Sequence, residues 1–145
     1  MKIRDVMTPN PRTVSPDDTI QTAARVMQVE DTGAVPVVEG GKVLAVVTDR
    51  DIVVRLVAEG GAASTPVRQV ATRDVVCATP EMSTREANDL MSVHKIRRLP
   101  VVDNDRLVGI VSIGDLAVKE GKDSRTGDTL QSISEGVKEK VKEKV

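Results

Sequence analysis

The sequence contains no Phe, Tyr or Trp. Its core must therefore be filled by Val, Ile, Leu, Met and Ala, and a bound base would have to be sandwiched by aliphatic side chains rather than stacked on a ring. Proteins that hold single-stranded nucleic acid normally offer aromatic platforms, so that class is disfavoured. Cysteine is nearly absent as well. Cys77 stands alone, no intrachain disulfide can form, and a lone thiol suits a reducing, cytoplasmic compartment. One His and one Cys cannot assemble a typical structural zinc site, and no catalytic triad or P-loop pattern occurs, so the expectation is no metal, no required cofactor and no enzyme chemistry. No apolar run approaches the roughly 20 residues needed to span a bilayer, and MKIRDVMTPN lacks the apolar stretch of a signal peptide. An excess of charge is missing too. With 21 Lys+Arg against 22 Asp+Glu the chain has no field to gather it onto nucleic acid or membrane, and neither is expected as a partner.

What is present is one unit written twice. At 145 residues and 39 % hydrophobic content the chain suits one compact domain with a tail. Shifted by 64 residues, Ile3 to Arg55 aligns without a gap on Val67 to Lys119, and Arg4, Val6, Pro16, Met27, Pro36 and Asp51 meet Arg68, Val70, Pro80, Met91, Pro100 and Asp115. The division this implies is a first repeat over 1–59, a linker over 60–66, a second repeat over 67–120, and a polar segment with a C-terminal amphipathic helix over 121–145. The linker is Gly-, Ala- and Ser-rich, and the last segment spaces Leu130, Ile133, Val137, Val141 and Val145 three or four apart.

Each copy predicts the same elements. A short extended piece (Arg12 to Val14, Val76 to Ala78) leads into a proline turn and then a helix. In the first helix Ile20, Ala23, Ala24 and Met27 make one apolar face, with Ser15-Pro16-Asp17-Asp18 as its cap. Two β-branched strands follow around Gly40-Gly41, or around Asn104-Asp105 in the second copy, both hairpin signals. A closing helix starts near Asp49 and near Ile113. In the first of these Ile52, Val53, Val54, Leu56, Val57 and Ala58 form too wide an apolar surface for one buried face, which points to contact with another subunit.

VPVVEGGKVLAVVTDRDI and LPVVDNDRLVGIVSIGDL, together with VMTPNPRTVSPDDTI at the entry, resemble the cystathionine-β-synthase-type (CBS) repeat pair, or Bateman module, over residues 1 to about 120. The resemblance implies an α/β (α+β) fold of two pseudo-symmetric β-α-β-β-α repeats packed through their sheets. It also implies a stand-alone regulatory module that pairs into a homodimer, acts on an unknown effector protein, and binds an adenine nucleotide or related adenosyl ligand between its repeats.

The residues for that task come in a doubled pattern. Thr48-x-x-Asp51 and Ser112-x-x-Asp115 set a hydroxyl ahead of a helix and a carboxylate one turn on. A phosphate there would meet hydroxyl and helix N–H groups, and a carboxylate can accept bonds from ribose hydroxyls. The same spacing is also that of a capping box, which only satisfies orphan amides. Arg97 and Arg98 stand where the first copy has Gly33 and Ala34, either as a guanidinium clamp for phosphate or as solvated surface charge. Walls for the base are expected from Val14, Val35 and Pro36 in one copy and from Val76, Leu99 and Pro100 in the other, with Ile110 or Val111 nearby. Ala45, standing where the second copy has Gly109, is expected to crowd the first cleft. His94 is expected as a solvated helix end and Cys77 as a small buried hydrophobe. A non-binding structural or protein-interaction dimer is the alternative reading.

Overall fold

A computed structural model of the chain describes residues 1–120, with side chains to Val118; the predicted C-terminal helix lies outside the described residues. The elements in order are α1 (Ile3–Val6), β1 (Thr8–Pro9), α2 (Ile20–Glu30), β2 (Ala34–Glu39), β3 (Lys42–Thr48), α3 (Asp49–Asp51) running on as a π-helix over Ile52–Val57, a 3₁₀ turn (Val67–Gln69), α4 (Thr84–His94), β4 (Arg98–Asp103), β5 (Arg106–Ser112) and α5 (Ile113–Glu120).

The two hairpins are built alike. Gly40 and Gly41 have φ of 59° and 81°, and Asn104 and Asp105 have 49° and 62°, the left-handed pair that a two-residue hairpin turn requires. Strand prolines would normally weaken a ladder, yet Pro36 and Pro100 sit inside β2 and β4. Their carbonyls point away from β3 and β5 and accept the amides of Val14 (3.1 Å) and Ala78 (2.9 Å), so the missing N–H also faces that edge and the hairpin ladder loses nothing. The extended pieces predicted at Arg12 to Val14 and Val76 to Ala78 shrink accordingly to single parallel bridges, Val14 on Val37 and Ala78 on Val101.

The opposite edge of each sheet comes from the other repeat. Thr8 and Pro9 of β1 pair with Ile110 and Gly109 of β5, giving the order β1-β5-β4, and Thr72 bridges Val46 of β3 in the same way. The crossing is held by matched bonds. The amides of Ile3 and Arg4 donate to the carbonyls of Met82 (2.9 Å) and Pro80 (3.0 Å), and those of Val67 and Arg68 donate to Asp18 (2.8 Å) and Pro16 (3.1 Å). Ion pairs Arg4 to Glu81 and Arg68 to Asp17 repeat the match. Ile3 and Val6 are consequently buried with Ala87, Met91, Leu99 and Leu116, while Val67, Val70 and Ala71 are buried with Ile20, Ala23, Val35 and Val47. Each fully buried aliphatic side chain of this kind contributes about 1.5–3 kcal/mol.

Several local expectations need correction. Helix α2 is capped by Thr19, whose hydroxyl accepts the Thr22 amide at 3.1 Å, and α4 by Ser83 in the same manner. Ser15 to Asp18 forms a turn instead, with the Ser15 amide on the Asp18 carboxylate at 2.8 Å, because the Pro16 carbonyl is needed by the crossing segment. Ala24 is exposed, and Val26 packs on the core beside Met27. Gly109 does not open a cleft. A Cβ there would stand 2.5 Å from Met7 Sδ and 3.0 Å from the Thr8 carbonyl, so the missing side chain admits the crossing strand. At the equivalent positions of the first core, Ala45 and Ala71 share the volume more evenly, and Ala45 is core rather than a plug in a ligand cleft.

Gly109→Ala is therefore expected to destabilise by about 1–3 kcal/mol through overpacking, and Met7→Ala in the same chain should recover part of that loss. Urea denaturation followed by far-UV circular dichroism suits a chain without aromatic residues. Additive losses in the double mutant would remove Met7 as the obstacle.

Candidate functional site

Both predicted Ser/Thr-x-x-Asp motifs close as reciprocal capping boxes. Thr48 Oγ1 accepts the Asp51 amide at 3.1 Å while the Thr48 amide donates to Asp51 Oδ2 at 3.0 Å; for Ser112 and Asp115 both distances are 3.0 Å. The capping reading is thus realised in each copy. It does not exhaust these groups. A hydroxyl oxygen that accepts one amide still has its proton to donate, and a carboxylate held through one oxygen still has the other. All four residues are half-buried rather than sealed.

Register decides which other residues share that location. Directly opposed residues of an antiparallel pair lie on one face of the sheet. Arg98 is opposite Ser112 and Pro100 is opposite Ile110, so Arg98, Pro100, Ile110 and Ser112 form one patch, with Asp115 bonded to its edge. Arg97 joins through its backbone, its carbonyl accepting the Ile113 amide at 2.8 Å. Both arginines are exposed and form no ion pair among the described residues. In the first copy the corresponding patch is Ala34, Pro36, Val46 and Thr48, with Asp51 at its edge.

The remaining wall residues fall elsewhere. Leu99 and Val35 point to the opposite face by strand alternation and are fully buried core, as is Val14; Val76 is half-buried against the second core. Leu99 and Val35 therefore back their patches rather than line them. Thr8 was missed. It stands opposite Ile110 on β5 and brings a hydroxyl from the first repeat to the second repeat's patch, as Thr72 does opposite Val46. Nothing in the composition of either lead-in signals the crossing that puts them there.

Two cavities open beyond these patches, and the second is lined by Asp49 and Arg50, which lie between Thr48 and Asp51 of the first patch. One of about 360 Å³ is lined by Lys42, Val43, Cys77, Val102 and Asp105, and another of about 340 Å³ by Asp49, Arg50, Val53 and Val54. Cys77 is half-buried rather than fully enclosed, and burial pushes its thiol pKa up. His94 is exposed at the last residue of α4. Among the described residues no group of three His, Cys, Asp or Glu side chains could hold a metal ion, and no helix is long and apolar enough to cross a membrane.

The CBS domain family matches the chain twice, over residues 3–58 and 67–119. The chain belongs to the CBS domain family. Among its relatives, the CBS domain-containing protein YhcV of Bacillus subtilis is 46 % identical over 132 residues, spanning 91 % of this chain and 94 % of that protein. A protein with CBS domains from Burkholderia ambifaria aligns with a TM-score of 0.71 at 34 % identity, over 78 % of this chain and 84 % of the other. The CBS domain pair of protein MJ0100, solved in complex with 5′-methylthioadenosine and S-adenosyl-L-methionine, aligns with a TM-score of 0.78 at 25 % identity, over 86 % and 98 %. The CBS fold and its doubling are therefore established for this chain, and an adenosyl-binding pair stands among its structural neighbours.

Because the thiolate is the reactive form, the raised Cys77 pKa implies slow alkylation near neutrality. Iodoacetamide labelling followed by intact mass should run slower than for a free thiol at pH 8 and keep accelerating above pH 9; a plateau by pH 8 would show a thiol that burial does not restrain.

Proposed function

We propose that this CBS pair is a cytoplasmic, non-catalytic sensor that binds an adenine nucleotide of the AMP, ADP or ATP class between its repeats and acts through a homodimer on an effector protein. The observation that carries the reading is the register of Arg98 against Ser112, with Asp115 bonded to the same serine. In this reading the Ser112 hydroxyl and the Gly114 amide in the first turn of α5 receive phosphate, the guanidinium groups of Arg97 and Arg98 clamp it, and the second oxygen of Asp115 accepts a ribose hydroxyl. Half-buried Ile110, backed by buried Pro100, supplies an aliphatic rest for the base, standing in for the absent rings. The adenosyl ligands named for the MJ0100 pair support the ligand class.

A nucleotide seated there would touch Thr8 as well, and through it the first repeat. Its binding would tighten the crossing of lead-in and sheet, which is a differential interaction of the kind that shifts a conformational equilibrium. The outlet proposed is the face of the π-helix, where Val53, Val54 and Val57 are 59 %, 50 % and 63 % exposed beside buried Leu56. A second copy of the chain is the natural cover for such a face.

The satisfied capping boxes favour the rival reading, a non-binding scaffold, and ligand-dependent melting separates the two. A ligand that binds only the folded chain adds about 2.7 kcal/mol at 100 times its Kd, so AMP, ADP or ATP should raise the Tm. Asp115→Asn, which keeps an oxygen for the Ser112 amide, should weaken binding by about 10-fold or more, as the loss of a bond to a charged group implies, with little change in stability. Arg98→Ala should cost AMP and ATP more than adenosine. Unshifted melting with every nucleotide would leave the scaffold.

Val54→Asp is expected to convert dimer to monomer in light scattering while leaving the circular dichroism spectrum unchanged. A wild-type chain that is already monomeric at micromolar concentration would remove this face as a subunit contact.

A further inference from the structure

The two pseudo-equivalent patches are alike in backbone and opposite in charge. The Asp49 amide donates to the Gly33 carbonyl at 2.9 Å and the Ile113 amide to the Arg97 carbonyl at 2.8 Å, so the two loops meet their helices in the same way. The capping bonds agree to within 0.1 Å. Along the loop, however, the first copy reads Asp31-Thr32-Gly33-Ala34 where the second reads Lys95-Ile96-Arg97-Arg98, and the helices then open with Asp49 and Ile113 respectively. Two acids in one frame face three bases in the other. Asp31 and Lys95 even share the left-handed C-cap conformation, with φ of 50° and 55°.

Asp49 is placed where this matters. A Cβ on Gly33 would lie 2.9 Å from Asp49 Oδ2 and 3.2 Å from Oδ1, so the carboxylate covers the ground from which Arg97 projects in the other copy. Its Oδ1 is fixed by the Arg50 amide at 2.8 Å. The nearby Arg55 does not reverse the sign, since its guanidinium is engaged by the Val70 carbonyl at 3.1 Å and approaches Asp51 Oδ1 at 3.9 Å. Arg50, which with Asp49 lines the outer cavity beside Val53 and Val54, stands where the second copy has Gly114, so the first frame keeps a net excess of one acid (two acids less one base) against three bases in the second. A phosphate entering the first patch would therefore meet a fixed carboxylate, in a frame that in the second patch offers guanidinium groups.

We infer that Asp49, laid over Gly33, makes the first patch reject phosphate and accept an adenosine whose 5′ substituent is uncharged or cationic, such as a thioether or sulfonium, while the second patch takes the phosphorylated nucleotide. This rests on the nucleotide-binding reading above and adds a specificity determinant to it. One phosphorylated nucleotide then binds per chain, and the two ligand types do not compete.

Calorimetric titration tests it, with protein concentration taken from refractive index because the chain has no Trp or Tyr. AMP should bind wild-type protein at one per chain, and 5′-methylthioadenosine should still bind, at one more per chain, after AMP saturation. Raising salt should weaken AMP and leave methylthioadenosine nearly unchanged. Asp49→Asn keeps the oxygen that receives the Arg50 amide and should add a second AMP site, at least about 10-fold tighter than any residual first-patch binding in the wild type. The swap Gly33→Arg with Asp49→Ile should make that second site as salt-sensitive as the native one. Two AMP per wild-type chain, competition between AMP and methylthioadenosine for one site, or a single AMP site in both Asp49→Asn and the swap would each overturn the inference while leaving nucleotide binding intact. Failure of every adenosyl ligand to bind would instead overturn the binding reading, and the inference with it.

Discussion

Everything in this fold depends on the exchange of lead-in segments between the two repeats. Residues 1–9 complete the second core and residues 65–72 complete the first, through backbone bonds that recur at a constant offset of 64 residues. Neither repeat can bury its sheet edge or fill its core alone. A hairpin with one helix leaves an unpaired strand edge and exposed aliphatic surface, both costly in water. Exchange closes the edge and contributes Ile3, Val6, Val67 and Val70 as buried side chains in the same step. The pair, rather than the single repeat, is the stable unit.

That closure explains why a chain without aromatic residues can still be compact. Valine, isoleucine, leucine and methionine bury less area per residue than rings do, so the core needs more contributors, and the crossing supplies them from distant sequence. It also sets local sizes. Met7 passes over Gly109 while Ala71 and Ala45 lie together in the other core, a trade of volume between strand and lead-in that keeps each core filled at native density.

Much of this was legible in the sequence. The 64-residue offset, the hairpin turns at Gly40-Gly41 and Asn104-Asp105, and the helices before and after them are local signals, and the apolar-Pro-Val-Val entry carries the family resemblance. The crossing was not legible, because a buried Ile3 or Val67 looks the same whichever core receives it. The cap of α2 moved from Ser15 to Thr19 for the same reason, since the Pro16 carbonyl is claimed by a segment some fifty residues away. The π-winding of Ile52–Val57 has no marker in a run of valines. Within the candidate site, the Ser112 and Asp115 pairing and the strand that carries Arg98 could be read from spacing, whereas Thr8 could not, since it belongs to the wrong repeat in sequence.

The manner in which the fold is held also explains how the two patches can differ in charge without differing in shape. The bonds that join each loop to its helix use the carbonyls of 33 and 97 and the amides of 49 and 113, so the joints themselves are made by backbone. Arg97, Arg98 and Asp49 are exposed, whereas Ile113 packs part of its side chain against the second core. By contrast, positions where the side chain itself is buried are restricted in both copies, as the valines at 37 and 101 and at 47 and 111 illustrate. A scaffold fixed by backbone bonds and aliphatic burial leaves its rim chemically free, so two identical frames can carry acids on one side and bases on the other. Charge contrast on matched backbones is thus the feature of this chain that a shared fold cannot account for, and it lies at the residues proposed to meet ligand.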